Sequence, residues 1–184
     1  MPRSSLPARV RLSPDNGATH ETVMLAHRTG GLPGDWRLHL QVAGYYLHGA
    51  KPPVTDRARR FYISARDLAG SQLDPQSHWL IEEGIGLTWL MENDGTKAIP
   101  FLKTALEIAR KSTDKNKLSS TLYNAACAYS VTGDVKQACN HLAELLSIQD
   151  DRNRQMMISH MGEDKDLATV RNSDCYRALI TKKD

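Results

Sequence analysis

Two stretches of this chain repeat one another at a fixed offset, and that periodicity constrains the fold more than any motif does. Setting Gly86 against Ala126 brings Trp89 onto Tyr129, Ala98 onto Ala138, Leu102 onto Leu142, and Ala105-Leu106 onto Leu145-Leu146. The offset is 40 residues (126 − 86). A weaker copy places Gly44 at the same position, with Leu47 after it and Ala58, Tyr62 and Ala65 beyond a connection lengthened by Lys51-Pro52-Pro53. Self-similarity of this length marks an array of supersecondary units that bury their apolar faces only by stacking. The spacings predict how. A small residue on the first helix of each pair (Gly44, Gly86, Ala126) lets a neighbouring backbone approach. A small residue on the second (Ala58, Ala98, Ala138) receives the large residue opposite it, Leu47, Trp89 or Tyr129.

Inside each copy the apolar residues recur at helical spacing. Asp35 is a good N-cap for a helix with Leu38, Val42, Tyr45 and Tyr46 in phase, ending at Gly49. A second helix runs from Thr55 or Asp56 to about Ala69, and Asp74-Pro75 opens a third over about 76–92. Asn93-Asp94-Gly95 turns into a fourth, about 96–111, with Pro100 expected in its first turn. Lys111 to Lys117 is a loop or a helix extension. A fifth helix covers about 117–132, Gly133-Asp134 turns it back, and a sixth spans about 135–148. Further helices are expected near 151–160, 164–170 and 174–181. Residues 1–34 hold four of the eight prolines and the run Gly30-Gly31-Leu32-Pro33-Gly34, with at most a short helix from His20 to His27. The expected organisation is a poorly defined segment 1–34 followed by one all-α domain, 35–184. That domain is a superhelical stack of antiparallel helix pairs, about three repeats plus C-terminal capping helices.

Charge narrows the function classes only slightly. The net charge of +3 is near balance, but residues 1–60 carry nine Lys or Arg against four acids. A basic N-terminal third suits an acidic partner or RNA; a solvated surface explains it equally well and is the simpler account, since the run is neither dense nor interleaved with aromatics. No apolar run reaches the roughly 18 residues needed to span a bilayer. The start, MPRSSLPARVRLSP, lacks the apolar stretch of a secretory signal, so a cytoplasmic protein is expected. Cys127, Cys139 and Cys175 are odd in number, form no CxxC pair, and read as small core residues of a reducing compartment.

The segment TLYNAACAYSVTGDVKQACNHLAELL, residues 121–146, resembles a single repeat of the tetratricopeptide-repeat (TPR) family. The stretch DLATVRNSDCYRALI, residues 166–180, is similar to the DLAxLRxDPxFxxL ending that follows the last repeat in many such proteins, but has Ser173-Asp174-Cys175-Tyr176 where the family has Asp-Pro and Phe. The resemblance covers about 79–179 well, 35–70 weakly and 1–34 not at all. The offset exceeds the usual 34-residue period by about six, a surplus that Lys111 to Lys117 accounts for. The resemblance implies an α-solenoid that acts as an adaptor or scaffold, binding a peptide or an amphipathic helix of another protein, without a cofactor.

By position in that family, the concave groove would be lined by Gln41, Val42, Tyr45 and His48 from the first pair, and by Glu83, Leu87 and Leu90 from the second. Tyr123, Asn124, Cys127 and Val131 would follow from the third. Only Asn124 survives of the Lys, Arg and Asn set with which some members grip a C-terminal carboxylate, so that activity is not expected. Two readings of the apolar groove stay open: it docks a partner, or the chain's own ends fill it. The implied partner is another protein, with a homo-oligomer as a further option and no membrane. A nucleic-acid-associated regulator using the basic third, or a regulatory subunit of an enzyme complex, is the alternative. Catalysis and metal binding are not expected. The seven histidines are dispersed, and neither His20 and His27 nor His39 and His48 share a helix face. Glu82 and Glu83 point to different sides, and Cys127 suits a buried site better than a nucleophile's.

Overall fold

Aspartate starts most of the helices. In the computed structural model, which describes residues 34–181, the carboxylates of Asp35, Asp74, Asp94, Asp114, Asp134 and Asp150 each accept a backbone N–H two or three residues onward. Each satisfies one of the donors a helix start leaves open. Four of them, Asp74, Asp94, Asp114 and Asp134, fall at intervals of 20 residues, half the sequence repeat.

Backbone packing divides the chain after Gly70 into two compact units, the second beginning at Ser71, a boundary inside the single domain expected over 35–184. The described part of the first unit is one helical hairpin. α1 (Trp36–Gly44) continues as a π-helical turn, Tyr45–Gly49, and α2 (Thr55–Ala69) returns after a cis Lys51–Pro52 peptide. Tyr46 stacks on Phe61 with ring centroids 5.8 Å apart, and His39 meets the same ring edge-on at 5.7 Å. Val42, Ala43, Ala58 and Ala65 are wholly buried.

The second unit carries α3 (Pro75–Met91), α4 (Gly95–Arg110), α5 (Lys115–Val131), α6 (Val135–Ser147), α7 (Asp151–Glu163), a 3-10 turn Lys165–Leu167, the one-turn α8 (Ala168–Arg171), and α9 (Asp174–Thr181). Here the 40-residue repeat is visible in geometry. The amide of Asp94 bonds the carbonyl of Trp89 at 2.9 Å, and that of Asp134 bonds Tyr129 at 2.9 Å. The amide of Ala98 bonds Asp94 at 3.1 Å, and Ala138 bonds Asp134 at 3.0 Å. Both turns pass through a left-handed residue, Asn93 (φ 60°) and Gly133 (φ 83°), the residue types that tolerate it at a helix C-terminus. One core runs through α3 to α9, with Leu102, Leu122, Leu142, Leu145, Met161, Leu167 and Val170 at 0–1 % exposure. All regular structure among the described residues is helical.

Several expectations change. Pro100 is the sixth residue of α4, beyond its first turn, so the Thr96 carbonyl loses its intrahelical donor. α5 starts at Lys115 rather than 117 because Asp114 caps it, which shortens the loop after Lys111. Gly86 does permit a close approach, though to a side chain: a β-carbon there would lie 2.7 Å from Leu102 Cγ. Gly44 does not: no described residue comes within 4 Å of such an atom. The cysteine reading is corrected most plainly. Cys139 and Cys175 form a disulfide joining α6 to α9, and Cys127 alone stays a buried thiol. Their separation of 36 residues hid a pairing that only the return of α9 onto α6 creates. The short helix His20–His27, the glycine run before Gly34, and Arg3, Arg9, Arg11 and Arg28 of the basic third lie outside the described residues.

Candidate partner-binding face

The inner faces of α3, α5 and α7 meet through two polar clusters related by the same offset. On α3, Glu83 is 8 % exposed, and its Oε1 accepts from Ser120 Oγ at 3.0 Å, Thr121 Oγ1 at 3.2 Å and Asn124 Nδ2 at 3.1 Å, all on α5. Thr121 in turn accepts the Trp79 indole N–H at 2.9 Å. Forty residues on, Tyr123 of α5 meets His160 and Asp164 at the end of α7, the positions 40 beyond Ser120 and Asn124. Its hydroxyl donates to Asp164 Oδ2 at 2.6 Å, and its ring stacks on His160 at 5.2 Å. These side-chain contacts share the offset, but the backbone packing does not repeat: α5 packs closely on α3 and α4, whereas the C-terminal backbone that packs on α5 is the 3-10 turn and α8 rather than α7.

The electrostatics follow from burial. Desolvation raises the Glu83 carboxyl above its ordinary range, and the three hydrogen bonds offset part of that rise. Burial, then the Asp164 carboxylate, pushes the Cys127 thiol far up; its Sγ lies 3.9 Å from Asp164 Oδ2. Burial and the hydrogen bond to Asp164 raise Tyr123 likewise. A thiol held protonated in this way is a poor nucleophile. Among the described residues, no group of three or more His, Cys, Asp or Glu side chains is placed to hold a metal ion.

The predicted groove residues thus fall into different situations. In the first hairpin Gln41 and His48 are exposed and Tyr45 is half-buried with its ring edge-on to Tyr46, while Val42 is fully buried. In the second unit Glu83, Leu90 and Cys127 are buried, and Tyr123, Asn124, Leu87 and Val131 are half-buried. Asn124 already donates to Glu83 of α3, and Tyr123 to Asp164 of the chain's own C-terminal segment.

α3 differs. Leu80 and Met91 are 38 % and 46 % exposed, and with half-buried Leu87 they lie at steps of seven and four residues, on one stripe of the helix. Sequence reasoning named Leu87 but missed Leu80 and Met91; the signal was that spacing, hidden because α3 is apolar on nearly every side. The basic residues Arg57 and Arg60 are exposed on α2, with Arg57 lying 5.6 Å from the Tyr46 ring centre. Among the described residues no helix is long and apolar enough to cross a membrane. No protein-family model and no curated protein matches the chain.

Proposed function

We propose that the chain is a TPR-like helical-repeat adaptor that binds an amphipathic helix of another protein, and that it is not an enzyme. The observation that carries the reading is the apolar stripe Leu80–Leu87–Met91, left open on α3, whereas of the positions 40 residues on (Ser120, Cys127 and Val131) the central one, Cys127, is buried beside Asp164. Leu80 to Met91 is eleven residue steps along α3 and spans about 16 Å, the length of three turns of a partner helix laid alongside. Recurrence of cap, turn and inner-face contacts at 40 residues supports a stacked array, in which exposed first-helix faces are the surfaces that recognise partners. The raised Cys127 pKa, beside its contact with Asp164, argues against that thiol as a nucleophile.

The test uses residues whose loss leaves the core intact. Leu80→Ser with Met91→Ser removes the stripe from positions already in solvent. Affinity capture with the folded double variant should lose the partners that the wild type recovers in stoichiometric amount. Equal recovery would sink the assignment of this face. Tyr123→Ala with Asn124→Ala is unsuitable, because it breaks contacts inside the fold.

A further inference from the structure

A second feature lies at the opposite end of the helical hairpins from the Asn93 and Gly133 turns. Where α3 begins, α4 ends and α5 begins, the second unit holds a cleft of ≈ 370 Å³, at the lower end of the size range of ligand pockets. Its apolar wall is Leu73, Pro75 and Ile108; Lys111 and Lys117 line it beside them. Both lysines are free of ion pairs among the described residues. Lys117 is held in place, its ammonium 5.6 Å from the centre of the Trp79 ring, which is itself fixed by the bond to Thr121.

Two carboxylates close to the cleft in sequence are engaged as helix caps. Asp74 accepts from Ser77 N at 2.9 Å and Ser77 Oγ at 2.7 Å, and Asp114 accepts from Asn116 N at 2.9 Å, each capping its own helix. His78 also lines the cleft, with its Nε2 3.8 Å from Glu82. Two cations beside an apolar wall, in space for about one or two residues, match a ligand with a carboxylate next to a large apolar side chain.

We propose that this cleft binds the C-terminal carboxylate and apolar last residue of a partner polypeptide. It is separate from the α3 stripe and does not depend on it. The carboxylate lies between Lys111 and Lys117, and the side chain rests on Leu73 and Ile108. The lysines supply what the concave-face positions lack, since those hold no Lys or Arg.

The test is a titration of the isotope-labelled full chain, followed by backbone amide resonances. The probe is acetyl-Ala-Ala-Leu with a free C-terminus, and its C-terminal amide is the control. The expected result is saturable shifts confined to residues 73–78 and 108–117. Amidation, or Lys111→Gln with Lys117→Gln, should weaken binding by at least about tenfold, and raising the salt from about 0.05 to 0.5 M should weaken it further. The glutamine pair must keep the remaining resonances in place, which shows that it is folded. Equal binding of acid and amide, shifts centred elsewhere, or no shift at several millimolar peptide would each overturn the proposal.

Discussion

A β-carbon on Gly86 would lie 2.7 Å from Leu102 Cγ and 2.9 Å from its Cδ2, and Leu102 is 1 % exposed with nowhere to go. Replacing a helical glycine by alanine ordinarily gains about 1 kcal/mol, but overpacking a filled core costs about 1–3 kcal/mol. Gly86→Ala is therefore expected to be destabilising. Gly95→Ala should be worse, because its β-carbon falls 2.5 Å from the carbonyl oxygen of Ala128, which is backbone and moves less easily. At Gly44 no described residue lies within 4 Å, so the propensity gain stands alone and Gly44→Ala should stabilise by about 0.5–1 kcal/mol. Urea denaturation of the three variants checks the order and the change of sign. Glu83 gives a prediction in pH. Its folded pKa is raised from 4.5 by burial, so between 4.5 and that higher value the native state holds more of the proton than the unfolded chain does. Its contribution to stability is then fully present below 4.5 and lost as pH rises through the folded pKa. Glu83→Gln keeps an acceptor for Ser120, Thr121 and Asn124 without the charge. At pH 7 it should be at least as stable as wild type, and the difference should close below pH 4.5. Glu83→Leu leaves Ser120 and Thr121 the Lys117 carbonyl as acceptor but strands the Asn124 amide, and should lose about 1–3 kcal/mol.

At the scale of the helices, the aspartate caps make a comparison possible. Asp94 and Asp134 occupy equivalent positions, with Oδ1 3.1 Å from the amides of Lys97 and Gln137. Either change to alanine is expected to cost about 1 kcal/mol. Asp94 also pairs with Lys97 Nζ at 2.8 Å, across side chains 58 % and 31 % exposed, and an exposed pair of that kind adds at most a few tenths. Nearly equal losses for Asp94→Ala and Asp134→Ala, measured by thermal unfolding followed by circular dichroism, are the expected outcome; a gap above about 1 kcal/mol would mean that the ion pair matters more than its exposure allows. These elements were largely legible in the sequence, because caps, glycine turns and apolar periodicity are local signals. What was not legible is what touches what. Gly44 aligned with Gly86 by pattern, yet only Gly86 has a leucine against it. Asn124 looked like a hydrogen-bonding group for a partner and instead donates to Glu83, 41 residues away. The cap of α7, Asp150, comes four residues before the position 40 beyond Asp114, and α7 shares the offset only through the contacts of His160 and Asp164 with Tyr123.

Over the whole second unit, the disulfide is the one covalent tie between distant helices, and its effect depends on how the unit transmits change. The bond closes a loop of 36 residues between α6 and α9, with Cα atoms 6.2 Å apart. By chain entropy alone, such a link stabilises by ~3–4 kcal/mol. α9 has eight residues, too few to hold a helix by itself in water. It packs on α6 and α8, where Tyr176 is buried and Ser173 Oγ accepts the Tyr176 amide at 3.2 Å. Without the bond, α9 keeps those contacts, the packing of Leu179 on the core and the hydrogen bond from Arg154 to the Leu179 carbonyl. Cys139→Ser with Cys175→Ser, or reduction of the wild type, should therefore unfold the unit at lower urea. Hydrogen exchange should show where. In an array stabilised by neighbour-to-neighbour contacts, the loss of protection fades with distance from the break. The greatest loss is expected in α9, an intermediate one in α6 to α8, and the least in α3 and α4. A uniform loss across α3 to α9 would mean that the unit opens as a single block, and the additive picture of a stacked array would not apply to it.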